Sequence, residues 1–276
     1  MRAAPGEREF SEFLLQLGTG QVPLKQNKPY EGSIQIPNEC VVGSNDSIVD
    51  SIFSDINGDW SNRVILTPTN EAALDINEQI LRRLHGDVKT YHSVDSVVSD
   101  DQEEVDLYPL EFLNSLTPSG LPPHSLNVKE GSIVMLLRNL SLNDGLCNGT
   151  RLKVMHARDY TLDCRILTGI HQGQPAIIPR ATLCPNDTNL PFQLKRRQFP
   201  VRLCYGMTIN KAQGQTFDHV GIYLPQPCFS HGQLYVAFSR ARSFRAVRVK
   251  VCNTFRQGYV QNSCYTQNVV YPLIVL

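Results

Sequence analysis

The 276-residue chain lacks any stretch of about 18 consecutive apolar residues, which removes a membrane-spanning helix from consideration. Its first segment, Met1 to Glu12, is charged and has no apolar core of the kind a secretory signal needs. The 8 cysteines are scattered from Cys40 to Cys264 without one C-x-x-C pair. Clustered zinc ligands and the disulfide framework of a small secreted chain are therefore not predicted, and reduced, mostly buried thiols are. Tryptophan occurs once, at Trp60, among loop-forming residues. There is no internal repeat and no low-complexity segment. Two further absences bear on chemistry. No Gly-Lys-Ser or Gly-Lys-Thr occurs, and Gly18-Thr19-Gly20 runs into Gln21 without a lysine at the needed offset. The dipeptide Asp-Glu is also missing. The chain as it stands thus carries neither a phosphate-holding loop nor the acidic pair that positions magnesium and water.

Net charge is absent too, at +0, but it is unevenly distributed. Residues 1–125 hold 8 Lys and Arg against 20 Asp and Glu, and residues 126–276 hold 18 against 6. A basic half is what a polyanionic partner requires. Two oppositely charged surfaces attracting each other across a fold would give the same counts.

Hydrophobic patterning then predicts an α/β chain. Residues 7–17 read as a helix, and Ser33 to Pro37 alternates like a strand. Ile48, Val49, Ile52 and Phe53 form a helical stripe. Val64 to Asn70 is a buried strand ending in a turn, followed by a helix over 71–84 with Leu74, Asn77, Ile80, Leu81 and Leu84 at 3–4 spacing. Strand, turn and helix in that order are the unit of a parallel sheet. Residues 90–97 suggest a further strand. The acidic run from Asp95 to Glu111 lacks the ordered spacing of a calcium loop and is expected to be a solvated, mobile loop. From Gly131 onward, short alternating segments separated by glycine turns (133–137, 151–155, 161–167, 176–178) predict a small antiparallel barrel. Arg180, Lys195, Arg196 and Arg197 are expected to form a basic rim at its exit.

Two runs stand out. Met207-Thr208-Ile209-Asn210-Lys211-Ala212-Gln213-Gly214-Gln215-Thr216 lies between apolar strands and reads as a short helical turn capped at Gly214, with backbone N–H groups available to a phosphate. Residues 232–242, Gly-Gln-Leu-Tyr-Val-Ala-Phe-Ser-Arg-Ala-Arg, read as a helix with Leu234 and Phe238 inward. Arg240 falls at its end, where a long side chain is expected to leave its own domain and grip a phosphate with its planar fork.

These two runs resemble the last two motifs of the petite-integration-frequency (PIF) family of ATP-dependent DNA helicases, and in particular the branch carried by Helitron transposons. So do Leu113-Asn114-Ser115-Leu116-Thr117-Pro118-Ser119-Gly120-Leu121-Pro122-Pro123-His124, residues 134–140, 146–151, 194–200 and the tail 266–271. The resemblance covers nearly the whole chain in order. It implies an α/β fold: the second RecA-like helicase lobe, a parallel sheet with flanking helices, carrying an inserted small antiparallel β-barrel of the Src-homology type. The corresponding division is 1–125 for the first part of the lobe, 126–199 for the insertion, and 200–276 for the remainder with the last two motifs.

The resemblance also implies residue roles. Arg240 is the catalytic arginine finger; Gln213, Gly214, Gln215 and Arg2 contact nucleotide; Thr208, Asn210 and Lys211 contact DNA; no metal ligand is assigned. His219 and His231 are expected to be structural. The intact relatives use ATP and Mg2+, move 5′ to 3′ on single-stranded DNA, and serve telomere maintenance, recombination, repair or transposition in the nucleus or mitochondrion. Single-stranded DNA and a first RecA-like lobe are the implied partners of an intracellular, monomeric, membrane-free protein. With the phosphate loop missing, the chain is expected to be the C-terminal half of such a motor, inactive alone. A non-catalytic DNA-binding module and a decayed transposon remnant are the competing readings.

Overall fold

The computed structural model describes residues 4–55, 58–98, 107–118, 120–185 and 190–271. The chain divides into two units, residues 1–82 with 205–276, and residues 83–204.

The first unit is built on a four-stranded parallel sheet in the order β13 (Gly206–Thr208), β2 (Arg63–Thr67), β14 (His219–Leu224), β15 (Val247–Val251). Its central strands are almost wholly buried, as a sheet covered on both faces requires. Helix α2 (Ile48–Phe53) starts at Ser47, whose hydroxyl accepts from the Asp50 amide, and buries the stripe Ile48, Val49, Ile52 and Phe53. Gly221 of β14 lets it approach, since a Cβ there would sit 2.9 Å from Ile65 and 3.0 Å from Ile52. Helix α3 (Asn70–Arg83) packs by its Ile76 against Gly206, where a Cβ would lie only 2.8 Å from Ile76 Cγ2. Asn77, a polar residue on an otherwise apolar stripe, explains itself here. Its Nδ2 donates to the Gly206 carbonyl at 2.8 Å and its Oδ1 accepts the Gly206 amide at 2.9 Å.

Helix α1 (Arg8–Thr19) ends at Gly20 in the left-handed region, φ 74°, and buries Phe10, Leu14 and Leu17. A small antiparallel sheet, β1 (Ile34–Ile36), β17 (Ser263–Thr266), β16 (Gly258–Val260), completes the unit. Trp60 lies outside any helix or strand, as expected, yet it is only 4% exposed. Its Nε1 donates to the Asp55 carbonyl at 2.6 Å, and its ring packs edge-on against Phe53 and Tyr205.

The second unit is antiparallel. Its main sheet runs β12 (Val201–Leu203), β6 (Ile133–Leu136), β7 (Arg151–Ala157), β8 (Thr161–Ile166), β9 (Pro175–Pro179). Inward-facing Val134, Leu136, Leu152, Val154, Leu162, Cys164 and Ile178 form its core. The short strands anticipated there are present, but the edge strands β12 and β9 do not pair with each other, and no closed barrel occurs among the described residues. A second sheet, β10 (Ala181–Leu183), β11 (Gln193–Gln198), β4 (Val94–Val98), and the pair β3 (Lys89–His92) with β5 (Ser125–Val128) accompany it, with helix α4 (Leu110–Ser115). Residues 83–125, grouped by composition with the N-terminal part, thus pair into this unit.

Two sequence expectations are corrected in this region. Asp95, the start of the acidic run, is buried on β4, and Asp100, Asp101, Glu103, Glu104 and Asp106 lie outside the described residues. Arg196 is not on a basic rim: its side chain is wholly buried and meets Asp95 at 2.6 Å. It also donates to the carbonyls of Leu113, Leu116 and Pro122. Lys195 and Arg197 alternate with it on β11 and remain exposed. The charge split is likewise redistributed. Each unit holds 13 Lys and Arg against 13 Asp and Glu, because the basic stretch 205–276 folds onto the acidic stretch 1–82.

Candidate functional site

In an open parallel sheet, ligands gather at the carboxyl ends of the strands, where loops emerge and backbone groups lack ladder partners. Strands β2 and β13 end side by side at Thr67 and Thr208. From Thr208 the chain makes a 3₁₀ turn, Ile209–Ala212, whose Ile209 and Ala212 are buried and anchor it. The Gln213 amide donates to the Asn210 carbonyl, the Gln215 amide to the Ala212 carbonyl, and Gly214 takes φ +83°. That conformation suits glycine and confirms the turn read from sequence. Asn210, Gln213 and Gly214 are exposed, Lys211 and Gln215 are half-buried, and Thr208 is largely buried. Six of the residues singled out for ligand contact therefore sit on or beside one turn. Arg2 lies outside the described residues.

The second run forms α5 (Gln233–Phe238), shorter than the sequence suggests. Gly232 precedes it with φ 66°, and Gln233 Oε1 accepts the amides of Phe229 and Ser230. Leu234, Ala237 and Phe238 are buried, as their spacing predicts. Arg240 follows the helix, but it does not leave its unit. Its Nε donates to the Val236 carbonyl at 2.9 Å and its Nη2 to the Ser239 hydroxyl at 2.8 Å. Its Nη1 reaches across to the carbonyls of Gln215 at 3.0 Å and Ala212 at 3.3 Å. The reason is donor count. A guanidinium offers five N–H groups, and the ends of α5 and of the 3₁₀ turn expose carbonyls with no partner inside their own helix. The two runs, 25 residues apart at the Gln215–Arg240 contact, are thereby joined.

Two features of this site escaped sequence reasoning. Thr67 Oγ1 and Gln215 Oε1 are buried polar atoms with no hydrogen-bond partner among the described residues. For Thr67 the available signal was its place at the end of a buried strand. The tail is the other feature: the Val269 carbonyl accepts the Gly232 amide at 2.9 Å, and His231 Nδ1 accepts the Tyr271 amide at 2.9 Å. Among the described residues no group of three His, Cys, Asp or Glu could hold a metal ion, and no helix is long and apolar enough to cross a membrane.

Comparison with known proteins gives three findings. Residues 111–156 match the family described as DNA helicase Pif1, 2B domain. The ATP-dependent DNA helicase PIF1 of Homo sapiens is 35% identical over 188 residues, 67% of this chain and 26% of that protein. Its counterpart in Rattus norvegicus is 33% identical over the same shares. The crystal structure of Bacteroides Pif1 bound to ssDNA superposes with a TM-score of 0.63 at 21% identity, covering 93% of this chain and 51% of that one. The chain thus spans about a quarter of the length of the curated relatives it matches.

Proposed function

This chain belongs to the Pif1 family of DNA helicases, and from that premise we propose that it is the second motor lobe of a 5′-to-3′ DNA helicase. In this reading Arg240 stabilises the phosphoryl group as it leaves ATP. Gln213, Gly214 and Gln215, with Arg2, contact the nucleotide, and Thr208, Asn210 and Lys211 hold the single strand. The observation that carries the reading is the Arg240–Gln215 contact, because it puts the proposed finger against the proposed nucleotide turn in one small volume. The described residues supply amides, a guanidinium and backbone N–H groups on this side of a triphosphate, and no carboxylate cluster for magnesium. A first RecA-like lobe would bring the phosphate loop and the acidic pair. When bound there, ATP and Mg2+ supply the phosphoryl group and its charge neutralisation; this chain orients and stabilises. In this reading the antiparallel unit is the insertion of the lobe, in place of the closed barrel that the resemblance implies. The run 113–124 favours the Helitron branch and, with it, a nuclear role in transposition or genome maintenance.

A second reading is a non-catalytic single-strand-binding module. The hydrogen bonds from Arg240 to Val236, Ser239, Ala212 and Gln215, which keep it within its own unit, favour it. Hydrolysis measured with and without an added or fused first lobe separates the two. The motor reading expects magnesium-dependent, DNA-stimulated phosphate release only when that lobe is supplied. Release by the purified chain alone, or none in the combined protein, overturns it. Lys211→Ala is expected to weaken single-strand binding and reduce its salt slope by about one.

A further inference from the structure

Away from the turn at 208–215, segments flanking the small sheet β1–β17–β16 line an open pocket of about 600 Å³, within the range typical of ligand sites. Lys28, Tyr30 and Glu31 line one side, and Phe255, Arg256 and Gln267 the other. Phe255 is 85% exposed, so its ring is open to a stacking partner. Its turn is rigidly held. Gln257 is buried and donates to the Leu224 carbonyl at 2.8 Å while accepting from Thr266 Oγ1 at 2.7 Å. Thr254 accepts the Arg256 amide, and Asn253 accepts the Tyr259 amide. The opposite loop is stitched to this turn by Ser33 Oγ, which donates to the Arg256 carbonyl at 3.2 Å. Tyr30 adopts φ 67°, and its hydroxyl occupies the space that a Cβ at Gly258 would fill. A non-glycine residue held in this region stores strain of a kind that clusters at ligand clamps.

The chemistry of the lining selects the ligand. The Arg256 guanidinium lies 4.9 Å from the Phe255 ring centroid, and Lys25 Nζ lies 5.2 Å from the Tyr265 ring. The lining holds two cations, Lys28 and Arg256, and one carboxylate, Glu31. Exposed aromatic rings with cations beside them are what a base and its phosphate need together. We propose that this pocket is a second binding site for single-stranded nucleic acid, with a base stacked on Phe255 and flanking phosphates on Arg256 and Lys28. Gln267 lines the pocket, and Val269, two residues on, is bonded to Gly232 at the start of α5, so a strand held here bears on the segment that carries Arg240. The proposal stands whether or not the chain works as a motor lobe.

The test uses Phe255→Trp as a reporter, because the native Trp60 is buried and 4% exposed. A short oligothymidylate is titrated at low salt while emission and anisotropy are followed together. Emission is expected to be quenched at the concentration where anisotropy rises, and to remain so when Lys211→Ala is added. Phe255→Ala is expected to weaken this site roughly tenfold, and Lys28→Ala with Arg256→Ala to lower the salt slope by about 1.4. A melting curve matching the parent confirms that each variant folds. An anisotropy rise without quenching overturns the proposal and leaves the DNA contacts of the 208–215 turn standing. Equal quenching by thymidine monophosphate, or by polyglutamate of similar charge, also overturns it, in favour of a small-nucleotide or general anion site. Absence of any oligonucleotide binding overturns both this site and the DNA role of Lys211.

Discussion

Arg196 and Arg240 show how differently the two units use the same side chain. Arg196, on β11 of the antiparallel unit, is wholly buried and spends its charge on Asp95, with three backbone carbonyls taking its other donors. Arg240, after α5 of the parallel unit, is half-buried and rests on carbonyls and a hydroxyl at the edge of an exposed turn. A guanidinium neutralised by a buried carboxylate is committed to the fold, since removing either partner strands a charge in a low-dielectric interior. Carbonyl partners at a surface turn are weaker and can be exchanged for a phosphate, which pairs with the fork in two places. The first arginine is therefore read as structural, and the second is the one proposed as the finger.

The largest effect expected from this contrast is on turnover. In a protein with the first lobe restored, Arg240→Ala should slow ATP hydrolysis by about 10³–10⁵-fold. Affinity for single-stranded DNA without nucleotide should change little. An unchanged hydrolysis rate would place Arg240 with Arg196 as a structural residue.

Next in size is the buried pair. Asp95→Ala should destabilise the second unit by about 3–5 kcal/mol, seen as a lower urea midpoint. Asp95→Leu combined with Arg196→Met should recover only part of this loss, because the carbonyls of Leu113, Leu116 and Pro122 would then lack their donor. A single variant as stable as the parent contradicts the structural reading.

A smaller, steric effect probes what holds the turn. Gly206→Ala drives a Cβ into Ile76 and into the Ala73 carbonyl at 2.9 Å, so a loss of about 1–3 kcal/mol is expected. Single-strand affinity should fall with it, since β13 leads straight into Thr208.

The smallest effect is a pH dependence beside Arg196. His124 Nδ1 lies 2.8 Å from Ser93 Oγ and 3.9 Å from Asp95, with the His92 ring at 5.3 Å. Burial pushes its pKa below the usual 6.5, outweighing the Asp95 carboxylate that favours the charged form. The unfolded chain then takes up the proton first. Stability contributed by neutral His124 is present above pH 6.5 and is lost as the pH falls toward the lower folded value. His124→Gln should flatten the melting temperature between pH 7 and 5.5, and an unaltered slope would assign the dependence elsewhere.

Residues 48–53, 63–67 and 71–83 were legible because helix and strand periodicity are written within a dozen residues. The turn at 209–214 was legible for the same reason: two buried apolar anchors and one glycine specify it locally. The residues that converge on that turn were recognised from motifs, and the meeting of Gln215 with Arg240 was implied by them without its geometry. What the sequence could not determine depends on partners far along the chain. Arg196 reads as one of three consecutive basic residues until Asp95, 101 positions earlier, is brought against it on the neighbouring strand. Strands β3 and β4 read as belonging with the first part of the second lobe, residues 1–125, until β5 and β11 pair with them. The acidic and basic halves of the chain read as separate surfaces until the fold interleaves them into two neutral units. Arg240 reads as reaching outward because a helix end by itself exposes its side chains. Only the folded turn supplies the carbonyls that hold it in, because unpaired acceptors at a helix or turn terminus exist only once both elements are formed and adjacent.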